Sequence, residues 1–206
     1  PVTTTASYAM GYEGGEYRIQ IYPAAYKKGA LPGVSAVGDM LLETDGRAVG
    51  DAPQGYGLLF AYQTAPTTRY YVFIVSPSGY YAVARYENDV EYTVMPWTAS
   101  EAINLGGAVN HLSVQRVGQQ VECRINGVLA QTLSGSEFAD VGRVGLFALC
   151  AGEPYADARY DSFRLLPLSG ADLSRQDGPQ IIGGSTSGAM GETLLAHPPR
   201  LLNRAR

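Results

Sequence analysis

The feature that most restricts the fold is a succession of short runs of alternating apolar character, spaced about ten residues apart with turn signals between them. Glu16 to Tyr22 (EYRIQIY) sets Tyr17, Ile19 and Ile21 against polar neighbours, as a half-buried strand does, and Pro23 stops it. Asp39 to Asp45 follows, with Met40 and Leu42 on one face. Tyr56 to Gln63, Arg69 to Ser76, Tyr80 to Tyr86 and Glu91 to Met95 come next, punctuated by a Thr/Pro turn, Pro77-Ser78-Gly79 and Glu87-Asn88-Asp89. His111 to Arg116 and Gln120 to Ile125 form a hairpin, and Asn126-Gly127 turns the chain into Val128 to Leu133. Arg143 to Cys150 and Ala156 to Leu166 complete the set. Only Ser100 to Leu105 and Gly135 to Ala139 could hold a helical turn, so the pattern predicts an all-β sandwich or barrel.

Composition divides the chain into three parts. Residues 1–15 read as an irregular lead-in and 16–167 as the sandwich. From 168 to 206 there are six Gly, three Pro and no aromatic, which predicts an extended low-complexity tail docking on a partner or a neighbouring copy. The formal net charge of -4 argues against nucleic acid, whose binders carry a basic stripe. Fifteen Tyr against five Phe and one Trp suit half-buried sheets, where the ring packs while the hydroxyl reaches a partner. No apolar stretch is long enough to predict a transmembrane segment. The start at Pro1 without Met fits a processed, secreted chain. Cys123 and Cys150 stand at apolar-parity strand positions and do not have zinc spacing; free buried thiols and a disulfide both remain open.

The run from Gly55 to Phe163 resembles a bacterial family of concanavalin A-like domains, related to laminin-G-like modules and to the 3-keto-disaccharide hydrolase group. The resemblance rests on YGLLFAYQ at 56–63, YYVF at 70–73, SPSGYY at 76–81, Trp97-Thr98 and Asn110-His111-Leu112. It continues through Ile125-Asn126-Gly127, GRVGL at 142–146 and YDSFR at 160–164. It implies a two-sheet antiparallel jelly-roll sandwich, one sheet having a concave outer face, in extracellular or cell-surface proteins.

Hairpin parity places Leu59, Ala61, Tyr70, Val72, Ile74, Tyr80 and Ala82 on one face, with Trp97 nearby, while Phe60, Tyr71, Phe73 and Val83 face the core. That face is short of polar groups, and an apolar sheet face on a soluble domain marks a protein interface unless loops of the same chain cover it. The expectation is therefore a non-catalytic extracellular module that assembles with a protein partner or with itself. The binding face would be the residues just named, and tail docking would run through Ile181, Ile182, Leu194 and Leu195, with Ile181-Ile182 adding a strand to a sheet edge. One alternative is a carbohydrate-binding module that stacks sugars on Tyr70, Tyr80, Tyr86, Tyr92 or Trp97. A second is a glycoside hydrolase using Glu87, Asp89 and Glu91, although Glu87-Asn88-Asp89 reads better as a turn. His111 and His197 lack a nucleophile with a base beside it, so no catalytic residue, cofactor or metal is assigned, save that loop calcium at Asp39 or Asp45 stays open.

Overall fold

Buried and half-buried side chains alternate through all nine residues of Met40–Ala48, the signature of a strand with one face in a core. The structure, a computed structural model, describes residues 2–23, 26–50, 54–138, 142–151, 155–168, 172–175 and 180–185. Two antiparallel sheets form from such strands. The first has the spatial order β1 (Thr3–Thr4), β2 (Tyr8–Glu13), β3 (Glu16–Ile21), β15 (Ala156–Pro167), β6 (Met40–Ala48), β11 (Asn110–Val117), β12 (Gln120–Ile125) and β13 (Val128–Ser134). The second runs β10 (Val90–Ala99), β9 (Tyr80–Glu87), β8 (Arg69–Ser76), β7 (Gln54–Gln63), β14 (Gly142–Cys150), β4 (Tyr26–Leu31) and β17 (Gln180–Ser185). Off that path, β5 (Val34–Val37) pairs with β14, and β16 (Asp172–Arg175) pairs with β5. The expected all-β sandwich is the fold observed. Of the two candidate helical turns, Gly135 to Ala139 holds a 3-10 turn, Ser136–Phe138.

The stretch expected to be an irregular lead-in instead carries β1 and β2. Gly14 and Gly15 both take positive φ (64° and 93°), which makes the two-residue turn that folds β2 onto β3 with Glu13 opposite Glu16. After Leu168 the described chain adds two more strands. Ile181 and Ile182 lie in β17 opposite Ala30 and Gly29 of β4, so the strand they add extends a sheet of the same chain. Leu194 and Leu195 lie outside the described residues.

Ile19, Ile21, Leu42, Ala158, Leu112, Val114 and Ile125 from the first sheet meet Leu58, Phe60, Tyr71, Phe73, Val83 and Val144 from the second. Phe60, Tyr71, Phe73 and Val83 therefore face the core as parity predicts. Three tyrosine hydroxyls cross this apolar interior. Tyr160 of β15 donates to the Phe147 carbonyl and accepts from the Gly57 N–H at 3.3 Å, entering the ladder where Phe147 and Gly57 pair. Tyr56 of β7 accepts from Asn110 Nδ2 at 2.8 Å, and Tyr81 of β9 donates to the Ala130 carbonyl at 2.8 Å. Asn110 also accepts from the Asn104 N–H at 2.8 Å and from Asn126 Nδ2 at 2.9 Å, which ties the loop after β10 to the Asn126-Gly127 turn.

Cys123 and Cys150 form no disulfide and are fully buried, and burial pushes the Cys123 thiol up. Both thiols should be silent to an aromatic disulfide reagent in native buffer and react together in denaturant; labelling of either in native buffer would contradict their burial. Tyr160→Phe leaves the Phe147 carbonyl and the Gly57 N–H without their buried partner. It should cost about 1–3 kcal/mol, read as a lower denaturant midpoint at unchanged slope.

Candidate functional site

Most of the residues expected to form a binding face lie together on one side of the second sheet, where they are buried. Leu59, Val72, Ile74 and Ala82 are fully buried, and Tyr70 is 2% exposed, on the outer side of the second sheet together with Tyr62, Ala84, Tyr86, Phe147 and Leu149. Ala61 does not join them. A bulge between Phe60 and Gln63, with Ala61 at φ 53°, turns its methyl into the main core. Tyr80 is half-buried at the start of β9. Trp97 packs against this cluster over Gly55, its Cη2 3.5 Å from where a β-carbon would stand. Tyr70 and Tyr86 stack at 5.0 Å, and Phe147 lies 6.0 Å from Tyr86. Lys27 Nζ sits 4.5 Å from the Tyr86 ring centroid, and the Tyr86 hydroxyl donates to Glu91 Oε2 at 2.5 Å. This is a second core, and its stacking candidates Tyr70 and Tyr86 are out of reach of a ligand.

The three carboxylates of the hydrolase alternative are divided between the two sides of the sheet. Glu91 stands opposite Tyr86 and shares its outer face, whereas Glu87, the next residue along β9, points the other way and pairs with Arg85 at 3.5 Å. Asp89 sits in the turn at φ 65°, 3.9 Å from Lys27 Nζ. Glu87 is thus not brought together with Glu91, whereas Asp89 and Glu91 both lie near Lys27 and Tyr86. Tyr92 is 44% exposed beneath the Arg85 guanidinium. His111 bridges Asp45 (2.8 Å) and Glu43 (3.2 Å), and Asp39 accepts the Gly118 N–H at 2.7 Å. No group of three or more His, Cys, Asp or Glu among the described residues could hold a metal ion. His197 lies outside the described residues.

An accessible site opens elsewhere, at the β2–β3 end of the sandwich. Tyr160, Tyr17 and Tyr12 stand opposite one another on β15, β3 and β2, one row across three strands. Tyr160 is buried, Tyr17 half-buried and Tyr12 71% exposed, so the row runs from the core to solvent. The Tyr12 and Tyr17 rings meet edge to face at 5.2 Å and 82°. Burial, then the neighbouring Tyr12, pushes the Tyr17 hydroxyl up. This row floors a cavity of about 670 Å³ walled by Ala30 and Leu31 of the opposite sheet and by Pro32 just after them. Thr3, Asp161 and Ser162 are also among its described lining residues. A second bulge lies there. Between Asp161 and Arg164 the β15–β6 register slips, Ser162 takes φ 55°, and its N–H donates to Asp161 Oδ1 at 2.6 Å. The residues that line this opening carry a sequence signal: Tyr12-Glu13-Gly14-Gly15-Glu16-Tyr17 is a Gly-Gly hairpin flanked by matched tyrosines.

Fold and cleft together define a concanavalin A-like jelly-roll sandwich with an aromatic-floored opening at one end. No family model and no curated protein matches the sequence. Among solved structures, the chain is similar to the carbohydrate-binding module CBM66 from Bacillus subtilis, at 15% identity and TM-score 0.54, over 81% of this chain and 91% of that one. It is similar to a Bacillus licheniformis beta-glucanase at 11% identity and TM-score 0.56, over 77% and 82% of the two chains. A Bacillus subtilis protein of unknown function with a galectin-like fold matches at 10% identity and TM-score 0.57, over 78% and 86%. At these identities the likeness establishes the fold. The expected assembly module is corrected by these findings. Proteins that bind or cleave carbohydrate stand among its structural neighbours, and the face meant for a partner is buried. Among the described residues no helix is long and apolar enough to cross a membrane.

Tyr86, Tyr70 and Tyr160 are pushed well above the ordinary tyrosine value of 10.0 by burial, the first two further by nearby carboxylates, and burial raises Tyr56 to about 12. Past pH 10 the unfolded chain sheds these protons while the folded chain keeps them, so each tyrosine costs about 1.4 kcal/mol of stability per pH unit of rise. Burial lowers Lys27 and Lys28, which act in the opposite sense and only below 10.5, where the unfolded lysine still holds its proton. Above 10.5 the lysines no longer contribute, and the tyrosines lower stability together with the buried Cys123 thiol. The buried tyrosinate absorbance should therefore appear in one step together with loss of the strand circular dichroism; buried rings that ionise while the dichroism persists would contradict it.

Proposed function

We propose that this chain is a non-catalytic carbohydrate-binding module whose sugar site is the cleft floored by Tyr12, Tyr17 and Tyr160. The observation that carries the reading is Tyr12, a large ring 71% exposed beside Tyr17 at the mouth of a cavity of about 670 Å³. Saccharides offer apolar C–H faces to aromatic rings and hydroxyls to polar groups, and here Tyr12, Tyr17 and Tyr160 line the cavity beside Thr3 and Ser162. The sandwich shared with a carbohydrate-binding module and a beta-glucanase supports the reading. The separation of Glu87 from Glu91 favours binding over hydrolysis. An extracellular setting, where such polysaccharides are met, goes with it.

Calorimetric titration with soluble polysaccharides such as laminarin, xylan and chitosan tests the proposal. At least one should bind. Tyr12→Ala should then weaken that binding about five- to tenfold with little change in stability. Trp97→Ala removes a ring that packs on the second core, and should lower stability while leaving affinity unchanged. Binding that survives Tyr12→Ala and fails with a folded Trp97→Ala would move the site to the other face. Release of reducing ends from the bound polysaccharide would overturn the non-catalytic reading.

A further inference from the structure

We infer that two copies of this chain pair through the free edge of β10, strand against strand, around a twofold axis at Tyr92; this goes beyond the carbohydrate-binding reading and does not depend on it. β10 is the terminal strand of the second sheet, and its one neighbour among the described strands is β9. Val90, Tyr92 and Val94 are all exposed along it. An uncovered edge strand offers unpaired N–H and C=O groups to another strand, and soluble proteins ordinarily blunt such edges with lysine, proline or a bulge. From Val90 to Thr93 β10 carries none of these. Its bulge comes after Thr93, and Pro96 lies beyond. The one charge in this stretch, Glu91, is engaged within its own copy, where it accepts the Tyr86 hydroxyl at 2.5 Å.

The hairpin fixes which backbone groups are free. Asn88 and Asp89 take φ 48° and 65°, a tight two-residue turn closed by Glu87 and Val90 as a hydrogen-bonded pair. Bonded and non-bonded pairs alternate along an antiparallel ladder. Val90 and Tyr92 therefore turn their backbone groups to β9, while Glu91 and Thr93 turn theirs to the free edge. An antiparallel partner must meet those two residues, and a second copy does so with Glu91 against Thr93 in both directions. In that register the segment Val90-Glu91-Tyr92-Thr93-Val94 matches itself, Val90 against Val94 and Tyr92 against Tyr92. The central Tyr92 pair is then of the non-bonded kind, in which side chains come closest, and pairs of aromatic and β-branched residues stabilise a sheet. The neighbouring registers are excluded. One sets Glu91 against its own copy, and like charges directly opposite are destabilising. The other runs the ladder into the bulge between Thr93 and Met95. β4, which walls the cleft, stands toward the other end of this sheet, so pairing at β10 leaves the cleft of each copy open.

Sedimentation equilibrium on the full chain tests this. The wild type should pass from monomer to dimer as its concentration rises. Thr93→Pro removes an edge-facing N–H and spares the bonds to β9, so it should weaken the dimer at least about tenfold at unchanged strand circular dichroism. Tyr92→Lys and Tyr92→Glu each set like charges across the axis and should be monomeric alone, whereas an equal mixture of the two should associate at least about tenfold more tightly than either. Should Thr93→Pro fail to fold, the Tyr92 variants decide alone. A wild type that stays monomeric at every concentration overturns the inference, as does a dimer that survives Thr93→Pro. A mixture of the charged variants that associates no better than its components overturns it too, since the axis would then not lie at Tyr92. None of these results bears on sugar binding, which is read separately by calorimetry.

Discussion

Three tyrosine hydroxyls that cross the interior are the constraint on which the sandwich depends. A hydroxyl taken from water into an apolar core must find a partner or cost about 1–3 kcal/mol, and each of these finds one on the opposite sheet. Because the bonds are directional, they fix how one sheet lies over the other, which apolar packing alone would leave looser. Tyr160 is the most demanding of the three. It serves the Gly57 N–H and the Phe147 carbonyl of two neighbouring strands, and Gly57 has no room for a side chain, since a β-carbon there would stand 2.0 Å from the Phe73 carbonyl oxygen. The richness in tyrosine thus has a structural use before it has a functional one.

Tyrosine also separates the two faces of the second sheet by purpose. On the inner side it bridges, and on the outer side Tyr62, Tyr70 and Tyr86 stack with Phe147 into a second buried cluster. Burying that outer side removes the broad face of the sheet as a recognition surface. Among the described aromatic side chains the most exposed is Tyr12, at the end of the sandwich where β2 and β3 extend the first sheet, ahead of Tyr92 and Tyr155.

Parity along β7, β8 and β9 is legible in the sequence because hairpin turns fix register, and Leu59, Tyr70, Val72, Ile74 and Ala82 share the face it predicts. Ala61 is misplaced by the same rule, since a bulge at a non-glycine residue carries no turn signal. The Ile181-Ile182 strand is legible as an edge strand, but its partner in the same chain is not, because pairing with β4 joins residues about 150 positions apart. The burial of an apolar face cannot be read from that face alone. It depends on what packs over it, and so the same residues suggest an interface from sequence and form a core in the structure. The β2–β3 hairpin escapes notice for the opposite reason: its Gly-Gly signal is clear, but the Thr- and Gly-rich residues around it resemble an unstructured lead-in.

The cleft follows from the unequal reach of the two sheets. Along the row Tyr160, Tyr17, Tyr12 the side chains keep one orientation, and what changes is the cover above them. Tyr160 lies under the β7–β14 ladder, Tyr17 is partly covered, and Tyr12 stands largely in solvent. The inner faces of β3 and β2 are buried at Ile19, Ile21 and Met10, and only toward Tyr12 does the aromatic row emerge from the cover of the opposite sheet. The bulge after Asp161 occurs where β15 leaves that cover. The proposed site and the scaffold therefore use the same residue type in one continuous row, the proposed site beginning where burial ends.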